Sequence, residues 1–370
     1  MNNRYEQLFA LLRAGLKIDD AFAYTPSAED WRWLHAEAGR QSVTGVAFTG
    51  LERANSSQKP PLDLLMRWAA EAQNIKRLNI AFDIEAKRMT ELIDGLGMRS
   101  TILKGQGNAL MYPAEGVRTP GDIDIFAEGG KQIVASKLNA AGILAEQYTP
   151  ASHHVHIKPL KSGISVEVHV LPSSGLFAPW HNKRLQKILH EEILCSEMCH
   201  KGFRVPSVKF NILMQLAHLL HHCLSNGIGI RHIIDFYVLL RNASSSDIAF
   251  VKPLLPKLGM CNFAKALMWL LTSAFKLDDA HTIASPDYRY GTLLMNVIAE
   301  GGNFGKFARS ESLGFFKRMK CYIMRRIRQA PLAPAETVGE SLEYIRLILI
   351  TIPKRISQRR LALTNRNNKK

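Results

Sequence analysis

Apolar residues recur at helical spacing through the first quarter of the chain. Residues 3–16 and 62–96 repeat them at intervals of three and four, which is the pattern of an amphipathic helix. Ser27-Ala-Glu-Asp30 is typical of a capping box, and it precedes an apolar run with two tryptophans. The pattern therefore predicts an N-terminal helical region over residues 1–98.

The period shortens to two after residue 98, where apolar and polar residues alternate. This alternation is typical of half-buried strands, and Lys161-Ser-Gly163 between two such runs predicts a turn. Residues 99–178 are expected to form an α/β core. Its predicted elements are strands at Ser100–Leu103, Asp122–Phe126, Val155–Lys158 and Ile164–Val170, with a helix at Lys131–Ala141.

Helical periodicity returns after residue 178, so residues 179–300 are expected to form a helical domain and residues 301–370 a helical tail. The overall prediction is an α+β fold with a small mixed sheet embedded in N- and C-terminal helices. The predicted helices are Val208–Leu224, Ile230–Leu240, Asp247–Leu258, Asn262–Phe275, Tyr290–Ile298, Leu313–Arg328 and Glu336–Ile352, followed by the polar Lys354–Lys370.

Charge is concentrated in the tail. The chain of 370 residues carries a net charge of +16. Residues 301–370 contain sixteen basic and four acidic residues, so most of this positive charge lies in the tail. Such a tail suits a polyanion, namely nucleic acid, an anionic membrane surface or an acidic glycan. The alternative is a helix that packs its apolar side on the body while its charges stay in water.

Composition favours a globular intracellular protein. Hydrophobic residues make up 46% of the chain, which excludes global disorder. The five cysteines are widely spaced and predict no disulfide framework, and Cys195 and Cys199 lack the second ligand pair of a zinc finger. Arg13 and Lys17 interrupt the first apolar run, so no signal peptide is predicted. We expect a cytoplasmic protein, with a peripheral position at the inner membrane face as a further option.

Two acidic residues occupy alternate positions in a predicted strand. Asp122 and Asp124 therefore point to the same side, while Ile123 and Ile125 pack behind them. Carboxylates this close repel each other unless a cation lies between them, and hard oxygen ligands suit Mg²⁺ or Mn²⁺. The alternative is a pair of solvated aspartates on an exposed strand.

A third acidic residue, Glu167, lies in the alternating run Val166-Glu-Val-His169. If this strand pairs with the first, Glu167 joins Asp122 and Asp124, and three carboxylates can hold two Mg²⁺ ions roughly 4 Å apart. His169 shares the face of Glu167 and is expected either to orient it or to contact phosphate. Without that pairing, Glu167 is an ordinary exposed strand residue.

A glycine-bearing turn, Leu103-Lys-Gly-Gln-Gly107, follows the first predicted strand. Backbone N–H groups at such a turn can bind phosphate, and Lys104 and Arg118 add positive charge. The run is neither a P-loop nor a dinucleotide-binding fingerprint, because the glycine and lysine spacings of those motifs are absent. Among the histidines, His218 and His222 stand four apart on a helix, where packing is favoured over a metal.

The order of these motifs resembles the DNA polymerase beta-like nucleotidyltransferase superfamily. More narrowly, it resembles a bacterial family of uncharacterised nucleotidyltransferases that is often found near surface-polysaccharide genes. The resemblance covers residues 80–240, and two positions depart from the usual pattern: Gln106 replaces a small residue, and Glu167 stands where aspartate is common. The matching motifs are Leu103-Lys104-Gly105, Arg118, Asp122-Ile123-Asp124, Glu167-Val168-His169, His218 and Arg231 to Asp235.

The resemblance implies a nucleotidyltransferase-type sheet and transfer of a nucleoside monophosphate from a triphosphate, ATP included, to an acceptor. The acceptor is a small molecule, a glycan precursor, RNA or a protein. The competing hypotheses are a non-catalytic protein of the same fold that docks on a polyanion and a toxin-type transferase acting on tRNA or protein. The implied residues are Asp122, Asp124 and Glu167 for catalysis and for two Mg²⁺ or Mn²⁺ ions, with Lys104, Gly105, Gln106, Arg118 and His169 for the nucleotide.

Overall fold

The computed structural model describes residues 3–145, 154–158, 160–301 and 315–349. The last helix of the described residues spans residues 334–349. The helices are α1 (Asn3–Gly15), α2 (Ala28–Arg40), α3 (Thr44–Glu52), α4 (Leu62–Gly95), α5 (Gln106–Ala109), α6 (Gly130–Ala140), α7 (Pro179–Ile193), α8 (Val208–Ser225), α9 (Ile230–Arg241), α10 (Ser245–Val251), α11 (Cys261–Phe275), α12 (Tyr288–Gly301) and α13 (Phe315–Gln329), and the strands are β1 (Ser100–Ile102), β2 (Ile123–Ala127), β3 (His154–His156), β4 (Val166–His169), β5 (Glu197–Met198) and β6 (Arg204–Val205).

The larger sheet has the strand order β1-β2-β4-β3 within the described ranges. β2 is antiparallel to β1 and parallel to β4, while β3 is antiparallel to β4. The α+β fold with a small mixed sheet is therefore confirmed. The four strands lie within the predicted segments, apart from one-residue differences at the ends of β2 and β3.

The two faces of this sheet differ in character. Ile123, Ile125, Val166 and Val168 lie in a hydrophobic cluster with residues of α4 and α6. The intervening side chains of β2 and β4 point to the opposite face. That face looks towards the C-terminal helices, since Phe126 belongs to their cluster.

The N- and C-terminal helical regions share one hydrophobic core. Its buried residues come from α1 to α4 and from α7 to α12. Two arginines tie the regions together: Arg13 donates to the Ala274 carbonyl at 3.0 Å, and Arg40 donates to the Ala299 carbonyl at 2.8 Å. Residues 1–98 and 179–300, which the sequence pattern predicted as separate helical regions, therefore pack together around one core.

Helix α3 shows how tertiary packing selects residues that helices disfavour. It contains Gly45 and Gly50, and the sequence pattern predicted no individual helix at this place within the helical region 1–98. A Cβ atom on Gly50 would lie 1.9 Å from the Leu11 carbonyl oxygen of α1, so only glycine permits this close crossing. The intrinsic cost of a helical glycine, about 1 kcal/mol, is offset by the contact.

Most of the long predicted helices agree with the structure within about two residues, and Ser27 caps α2 by accepting from the Asp30 N–H at 3.1 Å. The predicted helix at Asp247–Leu258 is wrong in its second half. α10 ends at Val251, and two single 3₁₀ turns follow, each with a proline in its first turn. Proline lacks the N–H group that would continue the helix.

The described part of the tail packs on the body. Arg326 pairs with Glu340 at 2.6 Å, and Arg325 donates to the Ser225 carbonyl at 3.0 Å. Glu336 is fully buried and accepts from the Ala178 N–H at 2.9 Å, at the start of α7. The predicted polar end, Lys354–Lys370, lies outside the described residues. None of the described helices has the length and apolar character needed to cross a bilayer.

Candidate active site

A cavity of about 270 Å³ opens between the polar face of the sheet and the helices α8 and α9. Its walls come from the turn after β1, from β2 and β4, from the loop after β4, and from the two helices. The titratable residues that line it are Lys104, Arg118, Asp122, Asp124, His154, Glu167, His169, His218, His221, His222, Arg231, His232 and Asp235.

The parallel pairing of β2 with β4 places two predicted catalytic carboxylates side by side. Asp124 is the register partner of Glu167, and Phe126 is the partner of His169. Residues opposite each other in adjacent strands share a face, so Asp124, Glu167 and His169 point together into the cavity. One ligand atom from each of these three lies within 4.8 Å of the other two.

Asp124 is the most enclosed carboxylate of this group, with 2% of its surface exposed. Its Oδ1 lies 2.8 Å from His169 Nε2, and its Oδ2 lies 3.2 Å from the Lys104 ammonium. Burial alone would raise the pKa of Asp124, but the Lys104 charge and the His169 hydrogen bond outweigh it, and the pKa lies well below its ordinary value. Asp124 is therefore an anion at neutral pH.

Glu167 is half-buried at the mouth of the cavity. Its Oε2 lies 3.6 Å from His169 Nε2 and 3.7 Å from His154 Nδ1. The nearby His169 ring lowers the pKa of Glu167 despite opposing desolvation. Burial alone would lower the pKa of His169, but its hydrogen bond to Asp124 and its contact with Glu167 raise it. His169 therefore contacts both carboxylates, and its orienting role stays a prediction.

Asp122 lies in the same cavity, but outside the tight group. It precedes β2, and neither potential metal group among the described residues includes it. Desolvation, followed by repulsion from Asp124, raises its pKa. Asp122 therefore lines the same cavity as Asp124, while the close cluster contains His169 where the sequence suggested Asp122.

The turn after β1 presents Lys104 to the cavity. Gly105 adopts φ +61°, and a Cβ there would lie 3.3 Å from the Asp122 carbonyl oxygen, so the turn favours glycine. Lys104 Nζ contacts both Asp124 and His218, whose Nε2 is 3.3 Å away. α5 is only four residues long, so the charge for a phosphate at this turn comes from Lys104 and little from a helix dipole.

The Gln106 side chain is turned towards α4. It is buried and donates to Asp83 and to the Asn79 carbonyl, both on that helix. It is absent from the cavity wall. The expected contact of Gln106 with the nucleotide therefore stays a prediction about the backbone of the turn.

Arg118 also has a different environment from the predicted one. Its Nε and one terminal nitrogen donate to the two Asp235 oxygens, each at 2.8 Å, and the Tyr112 hydroxyl donates to Asp235 at 2.7 Å. All three residues are at least nine-tenths buried. The guanidinium is therefore held by an ion pair with Asp235, and the role of Arg118 in positioning phosphates stays a prediction.

Four histidines and an arginine form the wall opposite the sheet. His218, His221 and His222 come from α8, while Arg231 and His232 come from α9. Burial, reinforced by nearby positive charges, lowers the pKa of His218 and His232 well below the ordinary value, so both are neutral. Helical spacing alone predicted packing for His218 and His222, and it gave no signal that this face would line a cavity.

The residues present fit a hard divalent cation. Asp124 Oδ2 is enclosed and accepts no hydrogen bond, although the Lys104 ammonium is at ion-pair distance. The Glu167 carboxylate lies beside it, and Asp122 lines the same space. Carboxylate oxygens are the donors that Mg²⁺ and Mn²⁺ favour.

Residues 27–276 match the family described as "Uncharacterised nucleotidyltransferase". The match covers more than half of the chain and contains the whole cavity, and the chain therefore belongs to this nucleotidyltransferase family. No curated protein matches the sequence.

A solved structure of an antigenic nucleotidyltransferase-like protein from Paracoccidioides brasiliensis is similar at 14% identity, with a TM-score of 0.31. The likeness covers 55% of this chain and 94% of the other. A likeness of this extent carries nothing about the substrate of this chain.

Proposed function

We propose that this chain transfers a nucleoside monophosphate from a nucleoside triphosphate to an acceptor hydroxyl, with release of pyrophosphate. One observation carries the proposal: Asp124 and Glu167 are register partners that point into a cavity also lined by Asp122 and Lys104. Family membership supports the reaction class. The triphosphate and the acceptor are not specified by this arrangement.

Asp122, Asp124 and Glu167 would hold two divalent cations, Mg²⁺ or Mn²⁺. When bound, such cations neutralise the charge that develops on a transferred phosphoryl group. His169 keeps the two strand carboxylates in position through its contacts at 2.8 and 3.6 Å. Lys104, on the other side of Asp124, supplies positive charge for the phosphates.

The chemical step forms a bond between the acceptor oxygen and the α-phosphorus and breaks the bond to the bridging oxygen of pyrophosphate. The acceptor proton passes to Glu167, which is ionised at neutral pH because its pKa is lowered. Its side chain is 26% exposed, so the proton can pass on to water. Asp124 is too enclosed for this role.

The decisive experiment supplies the full chain with Mg²⁺, each α-labelled nucleoside triphosphate and a cell extract, and follows label transfer and pyrophosphate release. Transfer should depend on Mg²⁺ and disappear in Glu167→Gln. Asp63→Asn, an exposed change at the start of α4, is the control. Label transfer that persists in Glu167→Gln would contradict the proposal.

A second candidate is a non-catalytic protein of the same fold, as the sequence also allowed. The contacts of Asp124 with both Lys104 and His169 favour it, because they neutralise this carboxylate without a cation. In that case Mg²⁺ and Mn²⁺ would not bind, and no triphosphate would release pyrophosphate.

A further inference from the structure

A second group of metal-ligating side chains lies at the rim of the cavity. His154, His156 and Glu167 each offer one ligand atom, and these atoms lie within 4.8 Å of one another. His154 and Glu167 line the cavity, while His156 is exposed beside it. The two histidines have no part in the proposed transfer reaction.

The sheet itself holds these three side chains together. His154 and His156 alternate along β3 and so share a face, and His156 is the register partner of Glu167. Val155 and Val168 are partners on the other face and are at most 1% exposed. A slip of one residue would expose those valines, so their burial fixes the register that assembles the group.

The spacing of the histidines suits a bound transition-metal ion. His154 Nε2 and His156 Nε2 are 3.2 Å apart. Ligand atoms around a tetrahedral ion with Zn–N bonds of 2.0–2.1 Å are separated by about 3.4 Å. One ligand atom from each of the three residues lies within 4.8 Å of the other two, so Glu167 supplies a third donor within reach of the same ion.

The donor types separate this group from the Mg²⁺ or Mn²⁺ site proposed above. Imidazole nitrogen favours Zn²⁺ and related ions over Mg²⁺, which prefers oxygen. Three protein ligands with an open side are typical of a reactive zinc site, whereas structural zinc sites are closed by four ligands. The open side here is the exposed edge at His156.

We propose that His154, His156 and Glu167 form a binding site for Zn²⁺ or a similar transition-metal ion at the mouth of the cavity, with solvent or a ligand oxygen in the remaining position. The site shares Glu167 with the proposed catalytic group. It requires no nucleotide, so it stands independently of the transfer reaction.

The test is calorimetric titration of the metal-free full chain with Zn²⁺ in the absence of nucleotide. His154→Gln and His156→Gln should each weaken binding more than about 100-fold, because loss of a ligand exceeds the 10–100-fold loss seen for outer-shell partners. Asp124→Asn should leave Zn²⁺ affinity unchanged, although it should abolish nucleotidyl transfer. This contrast separates failure of the zinc site from failure of the proposed function.

His200→Gln is the matched control, because exposed His200 adjoins Cys199 and could contribute to a rival thiolate site. Unchanged Zn²⁺ affinity in His156→Gln, or loss of binding in His200→Gln or Asp124→Asn, would overturn the proposal. X-ray absorption at the zinc edge of the unmodified chain gives a second readout that needs no variant. Two imidazoles without sulfur support the site, whereas one imidazole or a sulfur shell overturns it.

Discussion

Two buried aspartates line the same cavity and have opposite environments. Asp235 accepts from Nε and one terminal nitrogen of the Arg118 guanidinium and from the Tyr112 hydroxyl, so each of its oxygens has a close donor. Asp124 accepts from His169 through Oδ1, while its Oδ2 accepts no hydrogen bond and faces the Lys104 ammonium. They are 4% and 2% exposed, so burial does not distinguish them.

The two aspartates differ in how fully their carboxylate oxygens are hydrogen-bonded. A fully satisfied buried ion pair positions helix α9 against the turn before β2, and removal of one partner leaves a buried charge without compensation. An enclosed carboxylate oxygen whose close partner is the Lys104 ammonium at ion-pair distance is suited to a cation. The first arrangement is structural, and the second is the part of the cavity at which a ligand can act.

The largest expected effect is on the Asp124 side of this comparison. Asp122→Asn combined with Asp124→Asn should reduce nucleotidyl transfer at least about a thousand-fold and abolish Mn²⁺ binding, because the cation contributes several kcal/mol to the transition state. The fold should remain intact. Calorimetry with Mn²⁺ and label transfer are the measurements, with Asp63→Asn as the control, and Mn²⁺ binding that survives would remove the metal assignment.

Changes to the ion pair of Asp235 with Arg118 should lower the stability of the fold. Arg118→Met should lower the free energy of unfolding by about 3–5 kcal/mol, since Asp235 would be left buried and unpaired. Arg118→Met with Asp235→Leu should cost less than Arg118→Met alone. Urea unfolding measures both, and Arg346→Met, in an exposed pair with Glu343, should cost at most about 1 kcal/mol. Equal losses for Arg118→Met and Arg346→Met would contradict the structural role.

Substitution of Lys104 tests the Asp124 environment further, because the Lys104 ammonium lies 3.2 Å from Asp124 Oδ2. Lys104→Met should weaken triphosphate binding roughly tenfold to a hundredfold, in line with about 1.5–3 kcal/mol for a charged hydrogen bond. Mn²⁺ affinity should rise, since a competing cation is removed. Lys87→Met on the exposed surface of α4 is the control. A parallel loss of Mn²⁺ and triphosphate affinity would show that Lys104 supports the fold instead.

Glu336 tests whether the described part of the tail is structural, like Asp235. It is buried at the start of α7, where it accepts from the Phe177 and Ala178 N–H groups at 2.6 and 2.9 Å. Its other oxygen lies 2.7 Å from His181 Nδ1. Glu336→Gln should cost about 1.5–3 kcal/mol of unfolding free energy, the range for hydrogen bonds to a charged group. Glu343→Gln, a half-exposed change on the same helix, should be neutral in the same thermal unfolding measurement.

The smallest effect concerns pH. Burial would raise the pKa of Asp235, but the Arg118 charge outweighs it and the pKa lies below the ordinary 3.8. A carboxylate with a depressed folded-state pKa contributes stability above its unfolded pKa and loses it as the pH falls. The stability that Asp235 contributes to the unmodified chain should therefore stay constant from about pH 8 to about pH 5. In Arg118→Met the main cause that lowers the Asp235 pKa is gone and burial raises it, so the cost of the substitution should fall as the pH is lowered. A cost that stays constant across this window would contradict a carboxylate left buried and unpaired.

Much of the site followed from local patterns. Alternation predicted that Asp124 lies on the polar face of β2 and that Glu167 and His169 share the polar face of β4. The isoleucines of β2 and the valines of β4 lie in the hydrophobic cluster on the opposite face. The long periodic helices were predictable for the same reason, because helical spacing of apolar residues is a local property. Short elements such as the hairpin of β5 and β6 have two residues per strand and leave no such pattern.

The sequence by itself determined which side chains share a strand face and that β1 ends in a glycine turn carrying Lys104, since both depend on residues close in the chain. Tertiary structure decided which faces meet. The register of β2 with β4 set Asp124 beside Glu167, and helix α9 brought Asp235 to Arg118 from 117 residues away. Likewise, a hydrogen bond to Asp83 on α4 holds the Gln106 side chain. Partners so distant in sequence are chosen by the burial of the whole core, which no local period records.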